Sequence, residues 1–138
     1  MQTGDFGSIE MQMLWLSVVL GLVQIFSVIV SSGLAGRTSW ALGPRDVAGP
    51  SFGKIGARLE RALKNFVESF AFFTAAVLLA NALGKHTALS ALGAEIYFAA
   101  RVAYVLLYAA GIPVVRTLVW TAGYAGIVMV LLAVWPGM

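Results

Sequence analysis

The chain has 138 residues, of which 60% are hydrophobic and only 11% are charged, and its formal net charge is +3. A soluble domain carries roughly a quarter charged residues, so this composition points to an integral membrane protein and away from a nucleic-acid-binding protein. The sequence has no cysteine, which excludes disulfides and thiolate metal sites, and its single histidine, His86, excludes a multi-histidine metal centre within one chain.

Four apolar runs are each long enough to cross a bilayer as a helix, which takes about 20 residues. They cover residues 11–33, 62–83, 89–110 and 114–135. A polar, glycine-rich loop separates the first two runs, and short connectors join the others. Because these spans use up most of the chain, residues 1–138 are predicted to form a single domain, an all-α integral membrane four-helix bundle.

Lysine and arginine residues indicate the orientation of the spans. The first loop and its flank carry five of them, the second connector carries only Lys85, and the tail before the first span carries none. Arg116 follows the third connector, on the same side as the first loop. Because cytoplasmic loops are enriched in these residues, we expect both basic segments in the cytoplasm. Both termini then lie on the other side of the membrane, which in a bacterium is the cell inner membrane.

Three polar residues line one face of the second predicted span. Arg61, Asn65 and Glu68 are spaced four and then three residues apart, so they share a helical face. Lipid cannot satisfy an amide or a carboxylate. This face is therefore expected to turn toward other helices or a wet cavity.

A matching polar face is expected on the third span, where Arg101 lies near the middle. Tyr97, Tyr104 and Tyr108 share its face, since the series Tyr97, Arg101, Tyr104, Tyr108 has successive spacings of four, three and four residues. An arginine at a helix centre costs about 2.5–3.5 kcal/mol on insertion scales, and pairing with Glu68 would offset that cost. Two interpretations stay open: a structural ion pair between Glu68 and Arg101, and an anion-binding cavity open to the cytoplasm.

Taken together, these motifs resemble the MAPEG family, the membrane-associated proteins of eicosanoid and glutathione metabolism. The resemblance is carried by Arg61-x-x-x-Asn65-x-x-Glu68 in the second span, Arg101-x-x-Tyr104-x-x-x-Tyr108 in the third and Arg116 at the start of the fourth. It implies a homotrimer of four-helix subunits that binds glutathione between neighbouring subunits near the cytoplasmic side.

The resemblance also implies roles for individual residues. The residues that would bind glutathione are Arg61, Lys64, Asn65, Glu68, Arg101, Tyr104 and Tyr108. Arg116 matches the arginine that stabilises the glutathione thiolate and would be the catalytic residue. The implied activity is glutathione transferase or peroxidase chemistry, with glutathione as cofactor, on a lipophilic small-molecule substrate from the lipid bilayer. A non-catalytic membrane binding or scaffold protein of the same fold and a small transporter subunit stay as alternatives.

Overall fold

The computed structural model describes residues 7–137 as a bundle of α-helices. The helices in this range are α1 (Ile9–Leu34), α2 (Thr38–Leu42), α3 (Gly53–Ala82), α4 (Ala88–Ala110) and α5 (Pro113–Ala133). All but the short α2 are long and apolar enough to cross a membrane. The prediction of an all-helical membrane protein with four spans is therefore confirmed.

Helix α3 is longer than its predicted span, since it begins at Gly53 and not at residue 62. The added turns, residues 53–61, contain good helix formers such as Ala57 and Leu59. The helix has 30 residues, which corresponds to about 45 Å and exceeds the ~30 Å hydrocarbon core of a bilayer. The charged first turns of α3 therefore project beyond its apolar part.

Local signals in the sequence set the turn between α4 and α5. Gly111 follows α4 in the left-handed conformation, with φ 80°, which glycine adopts without steric penalty. Pro113 opens α5, at a position where its missing N–H removes no helical hydrogen bond. This short connector places Arg116 in the first turn of α5, beside the end of α4.

Helices α4 and α5 form the most extensive helix pair in the described part of the chain. Gly93 and Gly126 meet in this contact, and a Cβ at Gly93 would come within 2.6 Å of the Gly126 carbonyl oxygen. Small residues at helix contacts are typical of membranes, where burial of apolar surface gives little drive for association. The core toward α3 is built on the stacked rings of Phe73 and Tyr97, whose centroids are 3.9 Å apart.

Helix α1 packs against α3 and α4. Its outward face carries large apolar side chains, among them Leu22 and Phe26, as suits a helix that faces lipid. A smaller core, built on Ala62, Tyr104 and Tyr108, lies at the end of the bundle where α4 meets α5. The polar residues singled out in the sequence meet around this smaller core.

Candidate functional site

Tyr108 lies at the centre of a cationic cluster formed by α3, α4 and α5. Arg61 on α3 donates a hydrogen bond from Nε to the Tyr108 hydroxyl across 3.2 Å. Arg116 on α5 lies over the face of the same ring, with its guanidinium carbon 4.4 Å from the ring centroid, which is a cation–π arrangement. Three of the residues predicted from the sequence thus come together from three different helices.

A cavity of about 240 Å³ opens beside this cluster. Its lining residues are Asn65, Tyr104, Tyr108, Arg116, Thr117 and Trp120. None of them is acidic, and Arg116 contributes a full positive charge at any working pH. The cavity is therefore suited to an anionic ligand that accepts hydrogen bonds.

Arg101 is only 1% exposed and lies next to Tyr104, one of the cavity-lining residues. Its guanidinium carbon is 5.2–5.8 Å from the ring centroids of Tyr97, Tyr124 and Tyr104. In the described part of the chain, none of its three side-chain nitrogens has a hydrogen-bond partner. Gly123 provides the space, since a Cβ there would overlap the guanidinium. A buried charge that has no acidic partner among the described residues is costly, which makes Arg101 a candidate for binding an anion.

The ion pair between Glu68 and Arg101, one of the two interpretations left open by the sequence, is not formed within the described residues of a single subunit. Glu68 is exposed and forms no ion pair within the part of the chain that the structure describes. The reason is helical register. The inward face of α3 includes Ser69, and Glu68 is rotated from it by one residue, about 100°.

Lys64, another residue of α3 predicted to bind the ligand, is exposed as well. With Glu68 it lies outside the residues that line the cavity. Asn65 does line the cavity, and its side-chain nitrogen donates to the Arg61 carbonyl of the same helix across 3.0 Å. The structure thus brings six of the eight predicted residues together and leaves Lys64 and Glu68 on the outside of the subunit.

Two aromatic residues of α5 were not among the predicted site residues. Trp120 lines the cavity and Tyr124 faces Arg101, and the two rings pack with their centroids 4.6 Å apart. The sequence does contain a pattern that could have predicted both residues as part of the site. Arg116, Trp120 and Tyr124 recur every four residues and therefore share one face of α5.

A second polar cluster lies at the opposite end of the bundle, where α1 and α4 begin. Glu10 is 1% exposed and accepts a hydrogen bond from the Ser90 hydroxyl, while His86 Nδ1 lies 3.2 Å from its other carboxylate oxygen. Ser90 also forms, with Thr87, the capping box that begins α4. Sequence reasoning missed this Glu10 cluster, because the paired residues are 76 and 80 positions apart and only the packing of α1 against α4 joins them.

The fold and the site together define a class of protein: an α-helical membrane protein of four spans, with a cationic, aromatic-lined cavity where α4 meets α5. The model of the MAPEG family matches residues 13–135, nearly the whole chain, and the chain belongs to that family. It is therefore a membrane protein of the eicosanoid and glutathione metabolism family. No curated protein and no solved structure matches the chain.

Proposed function

We propose that this protein binds glutathione in the cavity between α3, α4 and α5 and uses the bound thiolate to attack lipophilic electrophiles. The observation that carries the proposal is the position of Arg61 and Arg116 against the same Tyr108 side chain, at a cavity whose lining includes no acidic residue. Membership of the MAPEG family supports the same conclusion.

The charges of the ligand and the site complement one another. Glutathione carries two carboxylates, one ammonium group and one thiol. A guanidinium has five N–H donors and can bind a carboxylate through two parallel hydrogen bonds. Arg101 has no hydrogen-bond partner in the described chain, and Arg61 gives only its Nε–H to Tyr108. We therefore assign the carboxylates to Arg61 and Arg101 and the thiol to Arg116.

One subunit supplies only part of the proposed site. Its cavity of about 240 Å³ is smaller than the ~300–1,000 Å³ typical of ligand pockets, and no lining residue carries a negative charge that could form an ion pair with an ammonium group. Lys64 and Glu68 are exposed on α3, where contact with lipid would be unfavourable. We propose a homotrimer in which this face of α3 completes the neighbour's cavity and Glu68 pairs with the ammonium group. A stable monomer or dimer in detergent would contradict that assembly.

The proposed reaction begins when the thiol loses its proton to water in the open cavity. Arg116 stabilises the resulting thiolate, which is the nucleophilic form of a thiol. The sulfur then bonds to the electrophilic carbon. The electron pair of the broken bond departs with the leaving group, or moves onto an oxygen that takes a proton from water. Thr117 and Trp120 are exposed on α5 and form an edge of the cavity past which a lipophilic substrate would enter.

Binding of glutathione to the purified protein tests this proposal. We expect the ultraviolet absorbance of a thiolate to appear on mixing, followed by conjugation of a lipophilic electrophile. S-methylglutathione is the matched ligand, because it should compete for the site and give no thiolate signal. Binding without thiolate formation would leave a non-catalytic binding protein. Glutathione-independent solute flux in proteoliposomes would instead indicate a transporter.

We also propose that the cationic end of the bundle faces the cytoplasm and that both termini lie outside it. The loop between α1 and α3 carries Arg37 and Arg45, the first turns of α3 add Lys54, Arg58 and Arg61, and Arg116 lies at the same end. This distribution follows the enrichment of lysine and arginine in cytoplasmic loops. A reporter fused to the C-terminus should therefore behave as external, and a cytoplasmic reporter signal would reverse the proposed orientation.

A further inference from the structure

A second cavity lies between the C-terminal half of α1 and the loop that contains α2. It shares no lining residue with the proposed thiol site, and its volume is about 460 Å³, within the ~300–1,000 Å³ typical of ligand pockets. Its wall is apolar at Val28 and Ile29, and its charged groups come from Arg37, Arg45 and Glu60. We refer to it as the loop cavity.

The loop cavity is apolar toward the membrane and charged toward its surface. Val28 and Ile29 lie inside the membrane-capable part of α1, and Ser32 lies about one helical turn beyond Val28, ~6 Å along the axis. Arg37 and Arg45 follow in the loop after α1 ends. A ligand that fills the cavity therefore needs an apolar part at the depth of the lipid chains and a polar headgroup at the membrane surface.

Two guanidinium groups at the outer end of the cavity are fixed in position and keep donors for a ligand. Arg37 lies over the rings of Phe52 and Trp40, 3.9 and 4.7 Å from their centroids, and gives one hydrogen bond to a loop carbonyl. Its Nε is buried and has no hydrogen-bond partner in the described chain. Arg45 donates from Nε and Nη2 to the Ala41 carbonyl. Because each guanidinium carries five N–H groups, both retain donors for an anion.

Glu60 of α3 adds a carboxylate to the same cavity, and it forms no ion pair within the described chain. Two cations and one anion around a single cavity complement a headgroup that contains both a phosphate and a primary ammonium group. We propose that the loop cavity binds a zwitterionic phospholipid with an ethanolamine headgroup. The phosphate contacts Arg37 and Arg45, and the ammonium group contacts Glu60. One acyl chain lies along the apolar wall of α1.

The apolar wall favours a lipid over a small water-soluble ligand. Glutathione also carries anionic groups and an ammonium group, but it has no hydrocarbon chain to cover Val28 and Ile29. A phospholipid reaches the cavity by lateral diffusion in the leaflet that contains it. The loop cavity and the proposed thiol site are thus predicted to bind different ligands independently of one another.

Native mass spectrometry of the delipidated full-length protein in detergent tests the proposal. The probes are phosphatidylethanolamine, phosphatidylglycerol and phosphatidylcholine with identical acyl chains. We expect phosphatidylethanolamine to bind most tightly, because it alone of the three presents a phosphate together with an ammonium group that can donate hydrogen bonds. Equal affinity for the three lipids would overturn the assignment.

Variants of the charged lining residues identify the contacts. Arg37→Gln and Arg45→Gln should each weaken phosphatidylethanolamine and phosphatidylglycerol binding by about tenfold or more. Glu60→Gln should remove the preference for phosphatidylethanolamine and spare phosphatidylglycerol. Lys54→Gln is the matched control, because Lys54 is an exposed cation at the same end that does not line the cavity. Arg45 and Glu60 are exposed, so their variants are informative even if Arg37→Gln fails to fold.

Two further results would overturn the proposal. If Lys54→Gln weakened lipid binding as much as the arginine variants do, the lipids would be attracted to a basic surface in general and not to this cavity. If glutathione displaced the bound phospholipid in a competition experiment, the cavity would belong to the thiol ligand. Retention of the lipid at saturating glutathione is the expected outcome.

Discussion

Two charged side chains are buried to the same extent in this bundle, Glu10 at one end and Arg101 near the middle of α4, and their surroundings differ completely. Glu10 and Arg101 are each 1% exposed. Glu10 accepts a hydrogen bond from Ser90 and lies 3.2 Å from His86. Arg101 is surrounded by ring faces, and its nitrogens have no hydrogen-bond partner in the described residues.

The difference distinguishes a charge that is satisfied by other residues of the folded chain from one that has no hydrogen-bond partner among the described residues. A buried carboxylate with two polar partners is satisfied by the folded chain itself, so it stabilises the junction of α1 and α4. A buried guanidinium without an acceptor lowers the stability of the empty subunit. An ionisable group of that kind inside a membrane span is by default a candidate for function. Removal of the two charges should therefore have opposite effects on stability and on ligand binding.

Arg116→Ala should have the largest effect, and on activity. Removal of one charge that stabilises the thiolate should lower thiolate absorbance and conjugation rate by about 10²-fold or more. Glutathione affinity should stay within about tenfold, a change of ~1.4 kcal/mol. Arg116→Lys keeps a cation and should retain part of both signals. Full activity of Arg116→Ala, measured per folded protein, would reduce Arg116 to a topology anchor.

Arg101→Met should weaken glutathione binding by about tenfold or more, since a guanidinium hydrogen-bonded to a carboxylate contributes about 1.5–3 kcal/mol. The same variant should not lower the melting temperature, because replacement of a buried charge by an apolar side chain of similar volume is often neutral or stabilising. Titration calorimetry and thermal unfolding in one detergent measure both effects. Lower stability with unchanged affinity would assign Arg101 a structural role.

Glu10→Ala should show the opposite pattern. Loss of the carboxylate leaves Ser90 and His86 without their partner and should lower the free energy of unfolding by about 1–3 kcal/mol, with glutathione affinity unchanged. Glu95→Ala is the matched control, because Glu95 is an exposed acid on α4 and its loss should change stability little. If glutathione binding fell in Glu10→Ala protein of normal stability, the two ends would not be functionally separate.

Glu68→Ala should have the smallest effect on the subunit. Glu68 is exposed and outside the cavity, so the unfolding free energy of dissociated subunits should change by less than about 0.5 kcal/mol. In the proposed homotrimer, glutathione affinity should fall, because the ammonium group loses its partner. A stability loss comparable to that of Glu10→Ala would show that Glu68 already has a partner within its own subunit.

The hydropathy pattern predicted the four spans because a bilayer requires apolar runs of about 20 residues. It placed the start of α3 too late because residues 53–61 lie at a polar end of the helix, where no lipid imposes an apolar pattern. Helix formation there follows from residue propensity, which a search for apolar runs does not detect. Hydropathy therefore predicts the part of a helix that crosses the membrane, and not where the helix itself begins or ends.

The pairing of charges was harder to predict than the spans. Glu68 and Arg101 are both polar residues inside apolar helices, but attraction between opposite charges does not determine how far α3 is rotated. A rotation of one residue, about 100°, separates the outward Glu68 from the inward Ser69. The Glu10 cluster could not be predicted from the sequence for a related reason, since its residues meet only when α1 packs against α4. Spacing within one helix did single out Arg61, which contacts the cavity-lining Tyr108.

The close packing of Gly93 against Gly126 has a mechanical consequence. Helices α4 and α5 are joined by a tight connector at one end and by this backbone contact toward the other, so we expect the pair to move as one rigid body. Tyr108 and Arg116 would then keep a constant separation when the protein fluctuates. Adjustment to a bound ligand falls to α3 and its Arg61, through a small sliding motion of the kind that packed helices allow. The dimensions of the cavity are then set by how far one helix can slide along a fixed wall.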